Sequence, residues 1–261
     1  MEENKEVILS TEKSVSRNEN MVFRPSGPWT ANVHALLRHL RQSGFTSLPS
    51  VIGSGLDAEG REVLSYVEGE FVHPGPWSDE ALAGVGSMLR KLHQASSGFE
   101  PADAGAAWKP WFLRELGGGA KLVYSHGDIA PWNMVARDAA PYALIDWEFA
   151  GPVDPMAELA RVCWLFPLLH DDDVAERVGL PSLDVRARQL RILVDAYGLN
   201  AEQRHALFDL IVEVVVRETA EEAIENRITP ESHGPLWGIA WRARAAAWIL
   251  RNRRVLQNSL A

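Results

Sequence analysis

Hydrophobic and polar residues change their period along this chain. Residues 6–24 carry three short β-type runs, EVIL, SVSR and MVFR, separated by the polar turns STEKS and NEN. From Thr30 the spacing becomes helical: Val33, Leu36, Leu37 and Leu40 share one face, with Thr30 as N-cap and Gly44 as stop. Two more strands are expected at 49–53 and 62–67, joined by the turn Asp57 to Gly60. Glu68-Gly69-Glu70 and His73-Pro74-Gly75-Pro76 then break the pattern, which places a lobe boundary between residues 1–68 and 69–261.

The second part reads as mostly helical. Ser78 caps a helix to Ser96 whose apolar positions Leu82, Val85, Met88, Leu89 and Leu92 form one stripe. A linker-like patch at 96–107 precedes short strands at 121–125, around Met134-Val135, and at 143–145. Pro155 starts a helix to about Phe166, and further helices are expected at 182–197, 201–226 and 235–257. Strands first and helices afterwards imply an α+β fold.

Composition narrows the options. With 46% hydrophobic and 23% charged residues in 261, the chain can bury a substantial core and is not disordered. A net charge of -9 argues against nucleic acid as partner, since phosphate neutralisation needs clustered Lys and Arg. Cys163 is the sole cysteine, which excludes an intramolecular disulfide and a multi-cysteine zinc site; in its apolar run it reads as a core thiol. MEENKEVIL has no basic then apolar leader pattern, and no run reaches the roughly 18 apolar residues of a membrane span. A soluble cytoplasmic protein with no membrane partner is the expectation.

The stretch from Tyr124 to Leu159 is the densest in chemistry. His126, Asp128, Asn133 five residues further on, and Asp146 at the end of an apolar run stand in a strand, loop, strand, strand context. Asp and Asn also close turns. In this order, however, one acid can take or orient a hydroxyl proton while an amide and a second acid hold magnesium on nucleotide phosphates, the division of labour of phosphoryl transfer.

HGDIAPWN and LIDWEFAGPVDP resemble the aminoglycoside phosphotransferase and choline kinase-like family, which has a protein kinase-like fold: H-G-D-x-x-x-x-N followed by I-D-[WF]-E. The resemblance implies a bilobal fold, with a small five-stranded antiparallel lobe bearing one helix (1–68, nucleotide-binding) and a large helical lobe (69–261, catalytic loop and substrate pocket). It implies Asp128 as catalytic base or orienting acid, Asn133 and Asp146 as magnesium ligands, and ATP or GTP as phosphoryl donor. His126 reads as a support for the loop. Trp132 and Trp147 are either core or stacking surfaces, Glu148 is either a structural partner or a substrate contact, and Asp154-Pro155 caps the next helix.

The small lobe departs from the family pattern. Arg24 stands where a strand lysine is usual, and the following helix offers no acid, so that Arg24 pairs with His34 or with an acid elsewhere, or is a solvated charge at the strand end. The turn that would cover the phosphates lacks glycine; Ser10 and Ser14 with backbone amides are its candidate phosphate contacts, and Lys13 is either a third contact or an exposed lysine. The hinge to the base is expected at Ser65 and Val67. The acceptor is expected to be a small-molecule hydroxyl. Acids outnumber bases over 171–226, which favours an aminoglycoside-like or other amine-bearing antibiotic, with Glu218 and Glu222 as candidate contacts beside Glu148. A metabolite kinase acting on an amino alcohol, sugar or nucleoside, and a non-catalytic kinase-like binding protein, are the alternatives.

Overall fold

The computed structural model describes residues 6–101, 107–116, 121–234 and 236–261. Residues 102–106 of the expected linker lie outside the described ones. The first part is a five-stranded antiparallel sheet with one helix: β1 (Val7–Ser10), β2 (Val15–Asn18), β3 (Met21–Arg24), α1 (Thr30–Gln42), β4 (Val51–Leu56) and β5 (Glu62–Ser65). The strand order is β1-β2-β3-β5-β4, so the last hairpin inserts its second strand next to β3. That insertion sets Arg24 directly opposite Glu62. The β4–β5 turn closes as its sequence requires: the Asp57 carboxylate accepts from the N–H groups of Glu59 and Arg61, at 3.1 and 2.7 Å.

α1 buries Val33, Leu36, Leu37 and Leu40, the stripe that its spacing predicts. Its start differs from expectation. Trp29 is the N-cap and Thr30 the first helical residue, because the Thr30 hydroxyl accepts from Gly27 N–H upstream of the helix instead of from the first turn. Gly44, at φ 87, stops the helix as expected.

The second part begins with α2 (Asp79–Ala95), capped by Ser78, whose hydroxyl accepts from Ala81 N–H. Four short strands follow: β6 (Val123–Ser125), β7 (Met134–Arg137), β8 (Ala140–Leu144) and β9 (Gly151–Val153), pairing as β6 with β9 and β7 with β8. Then come α3 (Pro155–Leu165), α4 (Asp172–Val178), α5 (Leu183–Tyr197), α6 (Ala201–Glu225), α7 (Trp237–Arg251) and α8 (Arg253–Leu260). Asp154 caps α3 through the N–H groups of Met156 and Ala157, and Cys163 is fully buried in it.

Three elements were not legible as periodicity. β9 has only three residues, Gly-Pro-Val, and exists because β6 pairs with it. α4 buries only Val174, so it has no apolar stripe; the Asp171 cap starts it and Gly179 ends it. The helix expected at 235–257 is two helices. At Asn252, with φ -99 and ψ 16, the backbone leaves the helical conformation, and its side-chain amide and its N–H both donate to Trp248 C=O at the end of the first helix. No helix among the described residues is long and apolar enough to cross a membrane.

Candidate active site

The catalytic-loop candidates lie between β6 and β7. His126 is fully buried; its Nε2–H donates to Ile145 C=O at 2.8 Å and its Nδ1 accepts from Asp128 N–H. Burial holds its pKa below the ordinary histidine value, so it is a neutral strut joining the loop to the segment that carries Asp146. Gly127 has φ +80, and a Cβ there would come 2.3 Å from Phe149 C=O. Only glycine fits. Its own N–H donates to buried Glu158 at 2.6 Å, and its C=O accepts from the Trp111 indole.

Asp128 is gripped at both oxygens. Asn133 Nδ2 donates to Oδ2 at 2.9 Å and to the Asp128 backbone carbonyl, and Arg161 Nη2 lies 2.9 Å from Oδ1. Burial raises the Asp128 pKa, and the Arg161 charge offsets only part of that, so the group is more basic than an ordinary carboxylate. Arg161 comes from α3 and is itself buried. Its other nitrogens reach Glu218 Oε2 at 2.7 Å and Ile129 C=O.

Asp146 follows β8 at φ 65, a left-handed conformation costly for a residue with a Cβ. Lys13 Nζ lies 2.7 Å from its Oδ2, and Arg24 Nη1 lies 2.8 Å from its Oδ1. Burial raises its pKa, but Arg24 and Lys13 outweigh that and hold the carboxyl below the usual value. Glu148, two residues on, faces Lys109 at 3.1 Å and Arg24 at 3.3 Å. Arg24 thus meets two acids at this site and a third, Glu62, on the neighbouring strand at 3.3 Å. Glu62 in turn bonds His34 at 2.8 Å, so both partners left open for Arg24 by the sequence belong to one cluster: Glu62 is the acid, and His34 is held by it.

A cavity of about 450 Å³ lies between the sheet and this cluster. Its lining includes Ser10, Lys13, Arg24, Ser65, Val67, Trp132, Asn133 and Asp146. Ser14, at φ 51, closes the β1–β2 turn and is not part of that lining. Ser65 is engaged on the far side, its hydroxyl accepting from Ser50 N–H and its own N–H donating to Ser50 C=O. Trp132 borders the cavity and meets His73 edge-on, whereas Trp147 is core, its indole bonded to Leu144 C=O. Glu218 is buried, with Arg161 and Arg242 on its carboxylate. Glu222 pairs with Arg242 and keeps part of its surface open, beside a recess of about 230 Å³ that also involves Asn226, His233 and Gly238.

The oxygens present fit magnesium. Asn133 uses its amide nitrogen on Asp128, which leaves Oδ1 as a donor, and Asp146 Oδ1 is buried with the Arg24 ion pair but no hydrogen bond. Magnesium characteristically takes one or two protein oxygens and completes its shell with water and phosphate. Among the described residues no group of three or more His, Cys, Asp or Glu could hold a metal.

Sequence reading missed Glu62, Arg161 and Lys109. The signal for Arg161 was present: an arginine in the apolar run ELARVCWLF of α3 has to find a buried acid. Glu62 had no such signal, because its role follows from the pairing of β5 with β3.

A sheet with one helix, a helical part behind it, and Asn133 and Asp146 at the cavity between them, with Asp128 bonded to Asn133, define a kinase-like phosphotransferase class. The model of the phosphotransferase enzyme family matches residues 22–123 and 102–208, and the chain belongs to that family. It is 50% identical over 250 residues, 95% of each chain, to the Trifolitoxin immunity protein of Rhizobium leguminosarum bv. trifolii. Among solved structures it is similar to an amicoumacin kinase in complex with AMP-PNP, Ca2+ and Ami, with TM-score 0.62, 12% identity, and 99% of this chain and 89% of that one covered. It is also similar to an aminoglycoside phosphotransferase from Alicyclobacillus acidocaldarius, with TM-score 0.59, 14% identity, and 98% and 91% covered. At such identities these two likenesses establish the protein kinase-like α+β fold.

Proposed function

We propose that the chain transfers the γ-phosphate of ATP or GTP, with magnesium, to a hydroxyl of a small antibiotic or toxin, and so protects the cell that carries it. Residues 1–68 form the nucleotide lobe and 69–261 the lobe of the catalytic loop and acceptor. The observation that carries this reading is the coupling of Asn133 to Asp128 at 2.9 Å while Asn133 and Asp146 line the same cavity. One residue thereby ties the proton-accepting acid to the phosphate side.

In the proposed reaction Asp128 orients the acceptor hydroxyl and takes its proton. Its raised pKa suits that role, because a base works best when its pKa approaches the working pH. Arg24, Lys13 and the backbone of the β1–β2 turn near Ser10 receive the phosphates. Val67 offers the base its backbone, since among the described residues no hydrogen bond engages its N–H or C=O. Asn133 and Asp146 hold magnesium, which when bound draws charge from the phosphate oxygens. The rest of the catalysis is positioning and preorganised charge.

The antibiotic or toxin acceptor is supported by the relative named as an immunity protein, which matches nearly end to end. An amine-bearing acceptor is favoured by Glu222 at the end of α6, which pairs with Arg242 but keeps part of its surface open beside the recess, whereas Glu218 is buried between two arginines and Glu148 is held by Lys109 and Arg24. The test is a screen of hydroxyl-bearing antibiotics, peptide toxins and amino alcohols with ATP and magnesium, read by mass for an added phosphate. A product that disappears in Asp128→Ala supports the reading. Undiminished product in that variant would overturn the role of Asp128, and phosphorylation confined to amino alcohols would make the chain a metabolite kinase.

A further inference from the structure

α1 presents no carboxylate to Arg24; the buried polar residue that it turns toward the sheet is His34. The acid comes from the sheet. Arg24 on β3 and Glu62 on β5 are direct antiparallel partners, so their side chains leave the same face side by side. Glu62 is buried, and it divides its oxygens: Oε2 lies 3.3 Å from Arg24 Nε, and Oε1 lies 2.8 Å from His34 Nε2. The histidine fits because residue 55 is glycine at φ +97; a Cβ there would lie 2.3 Å from His34 Nδ1.

The nitrogens of Arg24 are divided in a useful way. Glu62 holds Nε, while Nη1 and Nη2 reach forward to Asp146 at 2.8 Å and Glu148 at 3.3 Å, where Arg24 and Asp146 border the cavity. An arginine gripped at Nε still offers a planar two-pronged donor, whereas a lysine has one nitrogen for both tasks. A glutamate on a helix depends on where that helix sits. A cross-strand glutamate is fixed by the ladder itself.

We propose that Glu62 is the positioning residue for Arg24: from within the sheet it holds the guanidinium fork toward the nucleotide triphosphate, with His34 securing the second oxygen of Glu62. This rests on the reading of Arg24 as a phosphate contact. The acid of the phosphate grip is thereby set by the β3–β5 pairing, and α1 enters it through His34.

The test needs no acceptor. Isothermal titration with ATP plus magnesium, and separately with adenosine, compares the wild type with Arg24→Ala, Glu62→Ala and the double variant. Arg24→Ala should weaken ATP roughly tenfold or more and adenosine less than about twofold, the range expected for a lost charge-assisted contact. Glu62→Ala should weaken ATP about three- to tenfold with adenosine unchanged, and the double variant should bind ATP no worse than Arg24→Ala, because Glu62 acts through Arg24. Losses that multiply in the double variant, or a Glu62→Ala loss equal for ATP and adenosine, would make Glu62 merely structural and overturn the proposal. So would an unchanged ATP affinity in Glu62→Ala beside a selective loss in Arg24→Ala. Equal losses of ATP and adenosine in Arg24→Ala would instead remove the phosphate-contact reading itself. If Glu62→Ala does not fold, the isosteric Glu62→Gln decides by the same comparison, with ATP weakened and adenosine unchanged as the supporting result and any other pattern overturning the proposal.

Discussion

Arg161 Nη2 stands 2.9 Å from Oδ1 of Asp128, although the two residues belong to different elements, α3 and the loop after β6. With Asn133 on the other oxygen, the carboxylate is fixed in orientation, and a buried cation faces a partly buried acid. Replacing Arg161 by lysine keeps the charge but cannot reach Asp128, Glu218 and Ile129 C=O together as the guanidinium does. Arg161→Lys is expected to lower kcat roughly 10- to 100-fold, a share of what a positioned base contributes, with ATP affinity unchanged. Steady-state kinetics on the acceptor found by the screen, alongside ATP titration, checks this; a loss confined to ATP affinity would place Arg161 on the nucleotide side.

Asp146 is now neutralised by Lys13 and Arg24. Asp146→Ala therefore has two expected effects of opposite sign. It should abolish the magnesium dependence of ATP binding, and it should tighten metal-free ATP binding, because both cations are released to the phosphates. Titration of ATP with magnesium and with a chelator reads both, and metal dependence equal to the wild type would reject Asp146 as a ligand.

Glu218 is buried between Arg161 and Arg242. Glu218→Gln removes one anion from each of two guanidinium groups and leaves Arg161 with Asp128 and Arg242 with Glu222, so a loss of up to about 3–5 kcal/mol is expected, the upper figure being that of a buried charge left without any partner. Urea denaturation measures it. A loss under about 1 kcal/mol, the range of exposed pairs, would mean that the cations find other partners or water.

His170 is buried against Trp241, and burial holds its pKa down at about 3 against an ordinary 6.5. The unfolded chain therefore takes up a proton first as the pH falls. The contribution of neutral His170 to stability is complete above about pH 6.5 and is lost progressively down to about pH 3, at up to about 1.4 kcal/mol per pH unit. His170→Asn should flatten the pH dependence of unfolding free energy in that window; denaturation curves at pH 7, 6, 5 and 4 make the comparison, and an unchanged slope would contradict the assignment.

The residues that name the chemistry were legible because their information is local. HGDIAPWN and LIDWEFAGPVDP are short runs in which residue type and spacing are enough, Gly127 and Asp154-Pro155 state their own backbone needs, and the stripes of α1 and α2 follow from a period of 3.6. The sequence by itself thus determined the fold class and the family, and it singled out the acid-amide-acid set as the candidate chemistry. Only the tertiary structure decided how those groups are charged and held. Lys13 meets Asp146 across 133 residues and Arg161 meets Glu218 across 57, while Glu62 reaches Arg24 through the placement of β5 beside β3. Buried charges must be paired, but which opposite charge is nearest depends on how the chain closes, and neither periodicity nor motif spacing carries that distance.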